Sequence, residues 1–310
     1  MDLDAEHDDA LVAAVTGPGG EVGVRVWPAL ETDDAAEEAA EPDRVRGGRS
    51  TLRRARRRRA DSSHPVLLAF HGWTDSGEVF GPLAAALGRR WTVVAPDAPG
   101  HGGTRWVPSR EFRPDDQIGA GLAVLDALPS FGGRRAPVVM LGHCLGAVPA
   151  AGVAAARPRV VRHVVLEDPI GTRRRPARSA ATRRRGIESL QRLDEAARLE
   201  LAREQHPAWP EDELLPWVRA KARVDVAHLR VPTDWGQPLA DRLAEVRCPV
   251  TIIRGDPGRG GRVTAAAAGR ALAARRDGQV IALDAGHDVR RDARPRYVAA
   301  LAAVLARYES

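Results

Sequence analysis

The segment VVMLGHCLGAVPAAGVAAA, residues 138–156, constrains the fold of this chain more than any other. An unbroken apolar run reaches Gly142, passes through His143, Cys144 and Leu145 to Gly146, and gives way to small, helix-compatible residues. Apolar text without alternation is what a parallel strand covered on both faces carries. The glycines two residues to either side of Cys144 remove side chains that would collide with neighbouring strands where a strand turns sharply into a helix. Such a turn presents its central side chain, and the helix N-terminus beneath it favours developing negative charge. Cys144 is therefore a candidate nucleophile. Pro149, near the start of that helix, forfeits one backbone hydrogen bond.

The text around this segment alternates in the same way. Strands are predicted at VLLAF (66–70), WTVVAP (91–96), VVMLG (138–142), VVLE (164–167), VTIIR (250–254) and QVIALD (279–284), with helices near 79–88, 114–128 and 264–274. A last helix sets Tyr297, Leu301, Val304 and Tyr308 on one face. The alternation predicts an α/β class with a doubly wound, mostly parallel sheet of eight strands. Residues 1–29 supply an opening hairpin turning at TGPGG. Residues 30–64 run from acidic (ETDDAAEEAAEPD) to basic (STLRRARRRRAD) and predict a flexible charged insertion, too poor in apolar surface to pack. Residues 65–169 and 247–310 form the expected core. Between them, 170–246 lose the strand pattern for arginine-rich, helix-favouring text with Trp209, Trp217 and Trp235, an inserted helical cap.

Charge narrows the function classes. Forty-seven basic residues against 41 acidic leave a net +6, a mixed surface rather than a basic stripe, so no nucleic-acid partner is expected. Lys221 is the sole lysine, which points to an arginine bias across the whole chain. Two cysteines without metal-ligand spacing predict neither a disulfide framework nor a metal site, and a reducing cytoplasm is the expected setting. The acidic start MDLDAEHDD and the lack of an 18-residue apolar run predict an unexported protein with no membrane partner.

Three further motifs occur in order: FHGWTDSG after a strand (His71, Gly72, Trp73), APDAPGHGGT at 95–104, and a strand-following AGHD with His287. With the 142–146 turn, they make residues 64–310 resemble the α/β hydrolase superfamily. The likeness is to its capped bacterial enzymes, among them proline iminopeptidases, haloperoxidases and ring-cleavage-product hydrolases. The resemblance implies the α/β hydrolase fold, His287 as general base, and an oxyanion hole made by the backbone N–H groups of Trp73 and Leu145. Serine is the usual nucleophile there, so Cys144 is a departure, although dienelactone hydrolases and polyhydroxyalkanoate synthases also use cysteine on this fold. A thiolate suits thioesters, activated esters and lactones better than simple amides.

The triad acid has two candidates. Most relatives carry it three residues beyond the glycine ending the seventh strand, which here is Gly258, with Asp256 directly after Gly255. Haloalkane dehalogenases are similar to this chain in offering an acid at the end of the sixth strand, where Asp168 lies, and Asp168 is favoured. The expected function is hydrolysis of a small-molecule acyl substrate through Cys144, His287 and an aspartate, without cofactor. The alternatives are acyl transfer on the same triad and a catalytically inactive ligand-binding homologue. His71, His101 and His143 are expected to be structural hydrogen-bonders and Cys248 buried packing, while Trp73, Trp106 and the cap tryptophans are candidates for an apolar acyl pocket or for cap packing. Oligomeric state is left open.

Overall fold

The computed structural model describes residues 10–29, 64–88, 90–105, 113–131, 136–170, 178–230 and 238–309. The expected charged insertion therefore lies, apart from His64, outside the described residues, as do Trp106 and Trp235.

The chain opens with β1 (Leu11–Gly17) and β2 (Gly20–Trp27), paired antiparallel from Leu11–Val26 to Gly17–Gly20. Gly20 takes the left-handed φ of +120° that this reversal needs. There follow β3 (Val66–Phe70), α1 (Gly81–Ala86), β4 (Thr92–Pro96), α2 (Pro114–Ala127), β5 (Val138–His143), α3 (Ala147–Ala156) and β6 (Val161–Glu167). Helices α4 (Arg178–Gln191), α5 (Glu195–Gln205), α6 (Glu211–Ala222) and α7 (Leu239–Glu245) intervene before β7 (Val250–Arg254), α8 (Ala265–Ala271) and β8 (Gly278–Ala282). The short α9 (Val289–Asp292) and α10 (Arg294–Leu305) close the fold.

The sheet order is β1-β2-β4-β3-β5-β6-β7-β8. β2 runs antiparallel to β1 and β4, and every pairing from β4 to β8 is parallel, so the eight-stranded, mostly parallel sheet expected from the apolar runs is present. Alternate residues of each central strand enter opposite cores. Val66, Leu68, Val138 and Met140 pack with α2, α3, α7 and α8, while Leu67, Ala69, Val139 and Leu141 pack with α1 and α10. Each fully buried leucine or valine contributes about 1.5–3 kcal/mol, which is why β3 and β5 are apolar on both faces up to the terminal His143 of β5.

Some boundaries differ from expectation, for local reasons. The helix expected at 79–88 is a 3-10 turn over Gly77–Phe80 followed by α1, which starts with Pro82 at its second position. β6 begins three residues early, with Val161 and His163 paired to Val138 and Val139 of β5, and the polar His163 is buried there with its ring 2.9 Å from Thr251 Oγ1 of β7. Pro149 is the third residue of α3, inside the first turn, where a missing N–H is least costly. Tyr297, Leu301 and Val304 are buried on α10, but Tyr308 lies beyond it in a terminal 3-10 turn, its hydroxyl 3.1 Å from His163 Nδ1.

The segment expected to be cap divides in two. Helices α4 to α6 carry their own apolar cluster of Ala202, Trp209, Leu214, Trp217 and Val218. By contrast, α7 sends Leu239 and Leu243 into the main core beside α3 and α8, so it belongs to the body of the fold. Among the described residues no helix is long and apolar enough to cross a membrane.

Candidate active site

The C-terminal ends of β3, β5 and β6 and the loop after β8 converge on Cys144. The flanking glycines are sterically required: a Cβ on Gly146 would stand 2.1 Å from the Phe70 carbonyl oxygen, and one on Gly142 2.5 Å from that of Gly146. Cys144 opens a 3-10 turn with φ +52°, and it is 6% exposed. Among the described residues, positive φ in a non-glycine occurs at Thr74 (+69°), Cys144 (+52°) and Asp168 (+35°), all beside this site. Backbone strain of about 1–3 kcal/mol per residue persists only where surrounding structure enforces it, and such positions cluster where geometry serves function.

His287 follows β8 and stands beside the Cys144 sulfur, near enough for each to shift the other's titration. Its Nδ1 donates to Asp168 Oδ2 at 2.6 Å. Asp168 is fully buried, its Oδ2 also accepting from Arg262 N at 2.7 Å and its Oδ1 from Val263 N at 3.2 Å. Two amides and one imidazole thus fix the carboxylate. Asp256 is placed elsewhere: it is exposed, and its Oδ1 accepts from Gly258 N at 2.9 Å, capping the turn Pro257–Arg259. The second candidate acid serves its own loop and is not brought to His287, because β7 ends in a turn that folds the Asp256 side chain back on the chain.

Charge completes the arrangement. Burial pushes the Cys144 thiol up, but the charge and hydrogen bond of His287, with a smaller contribution from Arg262, outweigh it and lower the thiol below its usual value. Burial pulls His287 down, yet the Cys144 sulfur and the Asp168 carboxylate raise it to about 10. The pair therefore favours thiolate and imidazolium.

The backbone N–H of Trp73 lies near enough to Cys144 to help lower the pKa of its thiol. The turn that carries it lies against Cys144, since a Cβ on Gly72 would come 3.2 Å from Cys144 Cβ. Leu145 is the second residue of the 3-10 turn beginning at Cys144. His71 braces this region, accepting from Ala98 N at 2.9 Å and donating from Nδ1 to Gly72 O at 2.8 Å. His101 accepts from Thr74 N at 3.2 Å. His143, which burial beside His287 pushes down to about 3, stays neutral and donates from Nε2 to His287 O at 3.3 Å. Cys248, at the entry to β7, is buried and pushed up to about 11 by that burial.

The sequence pattern that describes the alpha/beta hydrolase family matches residues 66–301, well over half the chain. The chain belongs to the alpha/beta hydrolase family. It is 34% identical over 110 residues to 2-(acetamidomethylene)succinate hydrolase of Mesorhizobium japonicum, which is 36% of this chain and 37% of that protein. It is 36% identical over 103 residues to lipase LipV of Mycobacterium tuberculosis, 33% of this chain and 36% of that one. The chain thus spans little more than a third of the curated relatives it matches. Among solved structures, a thioesterase domain from the curacin biosynthetic pathway superposes with a TM-score of 0.62 at 16% identity, covering 96% of this chain and 99% of that one. The crystal structure of E-2-(acetamidomethylene)succinate hydrolase gives 0.62 at 21%, covering 95% and 98%. At such identities the likeness is one of fold.

This alpha/beta hydrolase adds a buried ionic cluster that sequence reading missed. Lys221 of α6 ion-pairs with Asp75 and donates to Thr74 O at 2.9 Å. Arg291 meets Asp288 at 2.6 Å, Asp75 at 3.3 Å and Glu213 of α6 at 3.4 Å. Arg290 meets Glu167 at 3.2 Å. The donor atoms of Asp75, His143 and Asp288 lie within 4.8 Å of one another, a spacing that could hold a cation. Lys221 and Arg291 already balance those carboxylates, so the cluster reads as an internal ion network. Its one sequence signal was the lone lysine in an arginine-biased chain.

The tryptophans separate by role. Trp209 stacks on His206 at 3.7 Å and stands edge-on to Trp217 among the helices α5 and α6, and its indole N–H reaches out to Asp292 Oδ1 of α9 at 2.7 Å. Trp73 instead packs against the Leu145 and Val148 cluster on one side and the Ile187, Val224 and Leu229 cluster on the other. It bridges cap and core directly over the Cys144 turn.

Proposed function

We propose that this chain hydrolyses small-molecule esters, thioesters or lactones through Cys144, His287 and Asp168, with the backbone N–H groups of Trp73 and Leu145 as oxyanion donors. The single observation that carries this is the buried arrangement in which Asp168 Oδ2 lies 2.6 Å from His287 Nδ1, with His287 beside the Cys144 sulfur. Asp168 fixes the tautomer, so that the other ring nitrogen faces the sulfur.

The thiolate attacks the substrate carbonyl carbon, forming a C–S bond and placing the π electrons on oxygen, where two N–H donors stabilise them. Collapse expels the alkoxide or thiolate, which takes the proton from imidazolium His287. Neutral His287 then removes a proton from water, whose oxygen attacks the thioester, and the acid departs as Cys144 regains its thiolate. Trp73, Leu145, Val148 and Ile170 supply an apolar wall for the acyl chain. The names of the relatives, a hydrolase, a lipase and a thioesterase domain, support carbonyl substrates of this kind. A cytoplasmic setting fits two free cysteines, because the chemistry needs Cys144 reduced.

Turnover of a panel of p-nitrophenyl esters, acyl thioesters and lactones tests this. Hydrolysis that is lost in Cys144→Ala is the expected result. No turnover of any member by the wild type would favour a ligand-binding homologue instead.

A further inference from the structure

The backbone turn that carries Trp73 is held by more than its own hydrogen bond. Thr74 has φ +69°, a conformation a β-branched residue adopts only under constraint. Within the turn Asp75 N donates to Gly72 O at 3.1 Å, and outside it Thr74 N donates to His101 Nε2 at 3.2 Å. The Thr74 carbonyl oxygen accepts from Lys221 Nζ at 2.9 Å, and the Asp75 carboxylate is ion-paired with the same ammonium. Thr74, Asp75 and Lys221 are each less than 8% exposed, so water does not compete for these contacts. The Lys221 ammonium also stands 4.8 Å from the centre of the Trp217 ring, which fixes it from the cap side. Lysine is suited to this place. A compact ammonium on a narrow stem can give hydrogen bonds to a carbonyl and a carboxylate at once, where a planar guanidinium needs more room. The chain otherwise uses arginine throughout, and this position is its single lysine.

We propose that Lys221 is a positioning residue: from the cap helix α6 it clamps the strained turn at Thr74 and Asp75, keeping the Trp73 N–H directed at the oxygen that becomes negative during attack. This rests on Cys144 as nucleophile and Trp73 as an oxyanion donor. The cap thereby does more than cover the site, since the oxyanion hole is complete only when α6 is docked. Arg291, which joins Asp75 to Asp288 beside His287 and to Glu213 of α6, ties the general-base loop to the same helix.

Two reactions of Cys144 separate this role from a merely structural one. Acylation by p-nitrophenyl acetate needs an oxyanion hole, whereas alkylation by iodoacetamide is a displacement at saturated carbon and needs only the thiolate. In Lys221→Met, single-turnover acylation, followed by the p-nitrophenol burst and by intact mass, is expected to fall by about 10², as for loss of one oxyanion donor. The iodoacetamide rate should stay within about twofold of wild type, because the Cys144–His287 pair is untouched. If Lys221→Met does not fold, Lys221→Met/Asp75→Asn removes both charges of the pair together and should show the same selective loss. Equal losses in both reactions, or unchanged acylation, would overturn the clamp. A wild type that is alkylated but never acylated would instead defeat the proposed function on which it rests.

Discussion

Asp168 Oδ2 is shared by two donors, His287 Nδ1 at 2.6 Å and the Arg262 amide at 2.7 Å, while Oδ1 takes the Val263 amide. Both oxygens of this buried carboxylate thus accept from N–H groups, three in all, and an amide side chain cannot satisfy all three. Asp168→Asn must turn its NH₂ toward His287 or toward the backbone amides. Loss of the orienting acceptor is expected to lower kcat by about 10⁴. Asp256→Asn, at the exposed cap of its own turn, should stay within a few-fold of wild type. Steady-state rates of both variants, with circular dichroism confirming their folding, check the assignment.

The pairing of Cys144 with His287 sets a pH dependence. Cys144 is lowered and His287 raised to about 10, so the thiolate persists as pH falls below the ordinary thiol value of about 8.5 and disappears only as pH falls through the lowered value. The iodoacetamide rate should hold to lower pH than that of a free cysteine before it falls. In His287→Ala the ion-pair partner is gone and burial remains, so the midpoint should move above that of a free thiol. A wild-type profile that tracks free cysteine would show that the pair is not ionised.

Cys144→Ser keeps the turn, since serine fits where cysteine fits, but replaces a thiolate with a hydroxyl that His287 must deprotonate. Residual activity toward activated esters is expected, with thioester turnover reduced more, and none in Cys144→Ala. Specific activities on matched oxygen and sulfur esters provide the check.

The glycines of the Cys144 turn should tolerate nothing larger. Gly146→Ala would drive a Cβ to 2.1 Å from the Phe70 carbonyl oxygen, backbone that cannot step aside, and should destabilise by about 3 kcal/mol or more. Gly186→Ala, exposed on α4 with open space around it, should stabilise by about 0.5–1 kcal/mol. Urea denaturation of the two variants measures both.

What the sequence revealed follows from how local each signal was. The parallel sheet was legible because both faces of VLLAF and VVMLG are buried, which leaves a run of apolar residues with no polar break. The turn around Cys144 was legible because two backbone approaches each demand a glycine. Asp168 and Asp256 remained a pair in the sequence because β6 and β7 are parallel neighbours, with Asp168 N donating to Ile253 O, so both ends point the same way. Only the side-chain direction separates them, and no periodicity encodes that. The cap's inner boundary was missed because α7 is amphipathic like its predecessors, and what Leu239 and Leu243 cover depends on long-range packing. The ion network joins Asp75, Lys221 and Arg291 over separations of 146 and 216 residues, beyond any local pattern.

Covalent catalysis by Cys144 is tested most directly by intact-protein mass spectrometry after rapid mixing with a panel of acyl thioesters and activated esters. Wild type should gain the mass of one acyl group and lose it with time, the gain should be absent in Cys144→Ala, and in Asp168→Asn it should form more slowly. An acyl adduct that persists in Cys144→Ala, or turnover by wild type with Cys144 unmodified throughout, would contradict the account.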